Sequence, residues 1–437
     1  MIRAPLLALL TALAAAPLSA AAAPPTAAER TMTATVDAEQ PRTVALLERL
    51  VNQNSGTQNL SGVRATCELI RPEFEALGFK VRWVQQDAVA RAGHLVATHA
   101  GRKGAKRILL IGHLDTVFEP DSPFQKFERV DETHAKGPGV SDDKGGDVVM
   151  IAALRAMQAA GTLKKANIEV ILTGDEEEAG LPISASRADL VAAGRRADVA
   201  LDFEGLARED GRDMGSVARR SAGNWTLTVT ARSGHSSGVF SQFAGDGAIY
   251  ELARILAAYR QELPQPNLTY NVGLVAGGAT AALAPDGAHA EATGKTNIIP
   301  AQAIARGDLR ALSGTQIAAT VARMQAIAAT SLNGTKAVFE FEDKYPPMAP
   351  TAGNRALLAR LNGVNATLGL AAMGELDPLK RGAGDISFVA ADVDSLAGLG
   401  PVSEGDHTPG ETVDIPSIFT QAKRAALLMS RLAAEKP

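Results

Sequence analysis

Five short stretches of this chain carry side chains suited to binding divalent cations. "GHLDT" holds His113 and Asp115, "GPGVSDDKGG" holds Asp142 and Asp143, and "TGDEEEAG" holds four successive acids, Asp175 to Glu178. "DFEG" supplies Glu204, with Asp202 two residues before it, and "EGDHTPGE" supplies His407. Each has an ordinary explanation when taken alone: a hydrogen-bonded histidine, a helix N-cap, a solvated acidic run, an exposed loop histidine. Two carboxylates about 4 Å apart repel by roughly 4 kcal/mol at an effective dielectric of 20. An acidic run at the end of an apolar strand is therefore either splayed into water or built around something positive. Two histidines together with several Asp and Glu match the donor set of a two-metal hydrolytic site.

Such a site requires elements that bring the five stretches together. Three of them follow short apolar runs: "RILLIGHLD", "IEVILTGDEEEAG" and "ADVALDFEG" each read as a buried strand. "GGDVVMIAALRAMQAAG" reads as a helix closed by Gly161, and "TVALLERLV" and "SGVRATCELIRPEFEALG" as amphipathic helices. Helices between apolar strands predict an α/β fold, with a mostly parallel sheet covered on both faces. In such a sheet the carboxyl ends of the strands share one edge, and ligands bind there. His113 and Asp115 are two apart, so in extended chain the carboxylate can hold or orient the imidazole. The glycines of "GPGVSDDKGG" lack the Lys and Ser/Thr spacing of a phosphate loop.

Near residue 222 the pattern changes. "NWTLTVTAR" alternates Trp225, Leu227 and Val229 on one face, and the helix "GDGAIYELARILAAYRQEL" follows. Strands are predicted near Leu268–Val275, Ala288–Thr293 and Ala303–Leu309, then the helix "TQIAATVARMQAIAATSL" and the strand "AVFEFED". That order is the βαββαβ of a ferredoxin-like (α+β) unit. The expected organisation is a leader at 1–23, a catalytic domain at 24–221 and 345–437, and an inserted lid or dimerisation domain at 222–344.

The ordered series "GHLDT", "GPGVSDDKGG", "TGDEEEAG", "DFEG", "ARSGHSS", "TNIIP" and "DHTPGE" resembles the di-zinc aminoacylase/carboxypeptidase superfamily, and most closely its secreted bacterial glutamate carboxypeptidase branch. The resemblance spans nearly all of the chain beyond the leader. It implies one zinc held by His113 and Glu204, a second held by Glu177 and His407, and Asp142 bridging them ahead of a cis peptide to Asp143. Asp202 is the alternative to Glu204. The resemblance further implies that Asp115 sits behind His113 and that Glu176 is the general base. His235 in "SGHSSG" would reach the partner subunit's site and stabilise an oxyanion, while Asn297 and Arg310 would hold the substrate's terminal carboxylate. The loop "RGAGDIS", Arg381 to Ser387, resembles the family's glycine-rich substrate-side loop. Two dications carry four positive charges, which Asp142, Glu177, Glu204 and one hydroxide balance, so the cluster can be buried.

The expected activity is that of a zinc-dependent carboxypeptidase acting on a small peptide, with glutamate as the expected released residue. An N-acyl-amino-acid deacylase or dipeptidase of the same fold, and a non-catalytic binding protein, are the alternatives. A homodimer through the inserted domain is expected from the resemblance. The chain has 437 residues, 46% apolar and 21% charged, with a net charge of −4 and no basic block, which argues against nucleic acid as a partner. The single cysteine, Cys67, excludes an internal disulfide and a thiolate metal cluster. "MIRAPLLALLTALAAAPLSAAAAPP" has a positive start, an apolar stretch and small residues around Ala20 to Ala23. It reads as a secretory signal, so a periplasmic or secreted protein without a membrane span is expected.

Overall fold

The protein is described over residues 24–436 by a computed structural model. The leader expected at 1–23 lies outside the described residues. A central sheet of six strands runs in the order Lys80–Gln86, Arg91–His99, Asn167–Thr173, Arg107–His113, Val199–Asp202 and Ser395–Leu396. The last four are mutually parallel, and Arg91–His99 runs antiparallel to both of its neighbours. The sheet is thus mostly parallel, as the sequence predicts. The hairpin Lys80–His99 and the helix Ala27–Ala38 are additions that the sequence reading did not contain.

Burial on both faces follows from the apolar runs. Ile108 and Leu110 enter one core, while Leu109 and Ile111 enter a second core on the opposite face with Leu190, Ile386 and Val389. The helix Lys144–Ala159 lies in the first core, and every residue from Lys144 to Met157 is buried. It is apolar on nearly all sides, as befits a helix surrounded by other helices and a sheet. Among the described residues no helix is long and apolar enough to cross a membrane.

Register sets up the site. His113 pairs with Thr173, and Ile111 pairs with Asp202. The turns that begin at Leu114, Gly174 and Phe203 therefore leave the sheet side by side. Gly112 has a close-approach role here, because a Cβ at that position would lie 2.7 Å from Asp143 Oδ2.

A third core belongs to the inserted unit, whose strands begin at Ala222 and end at Tyr345. Gln302–Arg310 pairs with Leu274–Gly278 and Thr269–Tyr270 on one side and with Ala222–Ala231 on the other. Ala222–Ala231 in turn pairs with Thr335–Tyr345, and all of these pairings are antiparallel. The helices Ala248–Glu262 and Gly314–Ala329 supply Ile255, Tyr259, Met324 and Ile327 to the core against Trp225, Leu227 and Val229. One expectation changes: the strand predicted near Ala288–Thr293 is Ala290–Thr293. It pairs with Thr280–Leu283 in a separate hairpin rather than in the main sheet, since its alternate residues are polar or small and have no core to face.

Trp225 anchors this unit. It is 1% exposed, meets Tyr259 edge-on at 6.0 Å, stacks on Phe339 at 6.4 Å and donates to the Asp308 carbonyl at 3.2 Å. Trp225→Ala should destabilise the inserted unit by about 3–5 kcal/mol. Calorimetry is expected to show a lowered transition for this unit; an unshifted profile would contradict its anchoring role.

Candidate metal centre

His113 is the last residue of its strand, and its Nε2 lies 3.0 Å from Asp142 Oδ1. His407 Nε2 lies 3.1 Å from Asp142 Oδ2 and 3.2 Å from Glu177 Oε2. Two imidazoles thus approach the two oxygens of one carboxylate. Donor atoms of His113, Asp142 and Glu177 all fall within 4.8 Å of one another. Glu204 stands apart from this group. Its Oε2 is 2.5 Å from a guanidinium nitrogen of Arg219, which is also 3.2 Å from Asp202 Oδ2. The structure therefore brings His113, Asp142, Glu177 and His407 together and pairs both Glu204 and its alternative Asp202 with one arginine.

The donors are held from behind. His113 Nδ1 lies 3.1 Å from the Asp115 carbonyl oxygen and 3.5 Å from its Oδ1. Asp115 accepts from the backbone N–H of Glu176 at 3.0 Å, the N–H of Glu177 at 3.1 Å and the Thr57 hydroxyl at 2.6 Å. One carboxylate thereby fixes both the His113 ring and the acidic turn. Glu411 performs a similar task four residues after His407, accepting N–H bonds from Gly139 (3.0 Å), Ser141 (2.9 Å) and Asp142 (3.1 Å). The Asp142–Asp143 peptide is cis, and His407 has a φ of +63°, a left-handed conformation uncommon outside glycine.

Arg219 also donates to the carbonyls of Gly382 (2.8 Å) and Ala383 (2.7 Å), and so ties the loop Arg381 to Ser387 to the site. Asp175, a residue with no predicted role, is fully buried and bound by Arg187 at 2.6 Å. The sequence reading assigned nothing to Glu411, Arg219 or Arg187. The only local signal was for Glu411, which lies within the quoted "DHTPGE" stretch; the arginines lie in unremarkable segments.

The electrostatics are those of a site rich in negative charge. Burial pushes the Glu177 carboxyl up to about 6 against the pull of His407. Burial, and next the neighbouring Glu204, drive Glu176 well above the carboxylate range. Asp142 is opposed by burial, yet hydrogen bonds from His113 and His407 hold it well below that range. Bonds to Asp142 and then Glu177 raise the His407 imidazole to about 11. Glu177 Oε1 is buried with no partner. An orphaned carboxylate oxygen beside two convergent imidazoles fits a hard or borderline dication bound by nitrogen and oxygen.

Of the lid residues, Arg310 comes up against the substrate-side loop, where a Cβ at Gly382 would lie 3.6 Å from its Nη1. His235 and Asn297 are exposed neighbours: His235 pairs with Ile298, and the Ser236 N–H donates to the Asn297 carbonyl at 3.0 Å. The His235 ring lies 2.8 Å from the Ser237 hydroxyl, and Arg310 donates to Asp308 at 2.9 Å. None of the three hydrogen-bonds to the metal-centre donors within the chain.

A mostly parallel α/β domain with an inserted lid and a histidine–carboxylate centre at its strand ends defines a metallopeptidase-type hydrolase. Residues 109–431 match Peptidase family M20/M25/M40, and the chain belongs to that family. It is 27% identical over 272 residues to carboxypeptidase G2 of Pseudomonas sp. strain RS-16, covering 62% of this chain and 60% of that protein, less than two thirds of its length. It is 29% identical over 313 residues to the succinyl-diaminopimelate desuccinylase of Novosphingobium aromaticivorans, covering 68% and 76% of the two chains. The fold matches the aminopeptidase PepT of Bacillus cereus with a TM-score of 0.70 at 19% identity, over 90% of this chain and 99% of that one.

Because Glu411 shapes the Asp142 turn from outside the donor set, Glu411→Gln should weaken metal binding about 10- to 100-fold. Competition with a chelator measures this. Wild-type affinity in the variant would contradict a supporting role for Glu411.

Proposed function

We propose that the protein is a di-zinc carboxypeptidase that removes a C-terminal residue from a small peptide. The observation that carries this reading is the Asp142 carboxylate, with one oxygen toward His113 and the other toward His407. His113 and Glu204 would hold one zinc, Glu177 and His407 the other, with Asp142 common to both. Arg219 pairs with Glu204 Oε2, so Glu204 would share its charge between that guanidinium and the zinc. When bound, the dications polarise the scissile carbonyl and acidify water.

Glu176 takes the proton of the attacking water as the C–O bond forms. It returns that proton to the amine nitrogen as the C–N bond breaks. Its place on the acidic turn, one residue before Glu177 and with its N–H held by Asp115, supports this. Arg310, with a planar two-pronged donor, and Asn297 would hold the terminal carboxylate.

A homodimer through the inserted domain is part of the proposal, with His235 of the partner subunit donating to the developing oxyanion. The exposure of Phe240 (60%), Phe243 (87%) and Tyr250 (55%) on that domain supports an apolar contact surface. A periplasmic or secreted location is also proposed, from the leader sequence.

Deacylation of N-acyl amino acids is the second reading, favoured by the desuccinylase relative aligned over 76% of its length. Both readings use the same machinery, and both require a free carboxylate on the product amino acid. Glu176→Ala should lower kcat by about 10²- to 10⁴-fold with metal content intact; turnover within a few-fold of wild type would remove Glu176 as the base. Substrates with a free C-terminal carboxylate should be cleaved well ahead of the matching carboxamides. Equal rates would contradict a carboxypeptidase, and the relative rates on peptides and N-acyl amino acids separate the two readings.

A further inference from the structure

The backbone of Glu176 is gripped at both polar groups. Its N–H donates to Asp115 at 3.0 Å, and its carbonyl accepts from the Tyr345 hydroxyl at 2.7 Å. Tyr345 does not belong to the sheet that carries Glu176. It is the last residue of Thr335–Tyr345, and it pairs with Ala222, the first residue of Ala222–Ala231. The chain therefore enters and leaves the inserted unit at one two-stranded joint, where the pairing register also shifts, between Ala222 and Gly223. The tyrosine at that joint reaches into the catalytic domain.

The far side of the contact is equally built. Arg187, 1% exposed, donates to the Tyr345 oxygen at 3.2 Å, to Asp175 Oδ1 at 2.6 Å and to the Asp175 carbonyl at 2.9 Å. Its Nε donates to Asp385 at 2.7 Å, and Asp385 accepts from the Thr173 hydroxyl at 2.5 Å. The Tyr345 ring packs on Phe388 with centroids 4.9 Å apart. Thr173 ends the strand that leads into the acidic turn, Asp175 and Glu176 lie on that turn, Asp385 on the substrate-side loop, and Tyr345 at the joint of the inserted unit. A single buried guanidinium connects all three.

We propose that Tyr345, held by Arg187, is a positioning residue that couples the orientation of the inserted unit to the placement of Glu176. This rests on the reading of Glu176 as the base. A swing of the inserted unit acts at the Ala222–Tyr345 joint, and the hydroxyl transmits it to the Glu176 peptide. Substrate captured by the lid and the base that serves it are then set by one motion. Displacements of about 1 Å at a reacting group cost on the order of 100-fold in rate, so a single well-placed hydrogen bond is enough to matter.

Tyr345→Phe tests this cleanly, because it deletes the hydroxyl and keeps the ring against Phe388. The zinc-loaded variant is compared with wild type by amide hydrogen exchange and by steady-state kinetics. Exchange in peptides covering 174–180 should rise several-fold, and kcat should fall roughly 10- to 100-fold with KM and metal content unchanged. Unchanged exchange at 174–180 overturns the proposal whatever the kinetics. So does wild-type kcat despite faster exchange, or a loss of metal that accounts for the lost rate. If the wild type hydrolyses no amide, the functional reading fails, and the exchange comparison still decides the coupling.

Discussion

Negative charge gathered at one edge of a sheet is the constraint on which the rest of this structure depends. The carboxyl ends of three apolar strands deliver acids to one crevice, where Asp115, Asp143, Asp175, Asp202 and Glu204 are all buried. A buried carboxylate needs either a charge partner or hydrogen-bond donors, and one left without them takes up a proton. The protein answers differently at each position, and the answers divide the acids into roles.

Backbone donors satisfy Asp115 and Glu411, which leaves those two free to hold turns in place. Arginines satisfy Asp175, Asp385, Asp202 and Glu204, each guanidinium serving two carboxylates. Asp142 faces two histidines, and Glu177 faces one while keeping a bare oxygen. Among the described residues, carboxylate oxygens without a partner remain at Glu177, beside the two imidazoles, and at Asp143 and Asp147, where burial raises the carboxyls well above the usual range. Glu204 and Asp202 share the single guanidinium of Arg219.

Much of this was legible in the sequence because the relevant signals are local. Continuous apolar runs ending in His or acid predicted the strands and the shared edge, and the alternation around Trp225 predicted the inserted sheet. The histidines and acids drawn together around Asp142 were candidates by residue type and position, and the choice of Glu177 among the four successive acids came from the family resemblance. What escaped notice depends on distance along the chain. Arg187 pairs with Asp385 across 198 positions, and Glu411 reaches Ser141 across 270, with no periodicity to betray either. The hairpin Lys80–His99 was missed because Lys80–Gln86 mixes polar and apolar residues without a continuous run. His235, Asn297 and Arg310 sit on the inserted unit, where the sequence placed them, and none hydrogen-bonds to the donors within the chain.

The most direct test is anomalous diffraction at the zinc edge from crystals grown with zinc. Two peaks flanking the Asp142 carboxylate are predicted, one within bonding distance of His113 and Glu204, the other of His407 and Glu177. A single peak, or metal bound away from Asp142, would contradict the account.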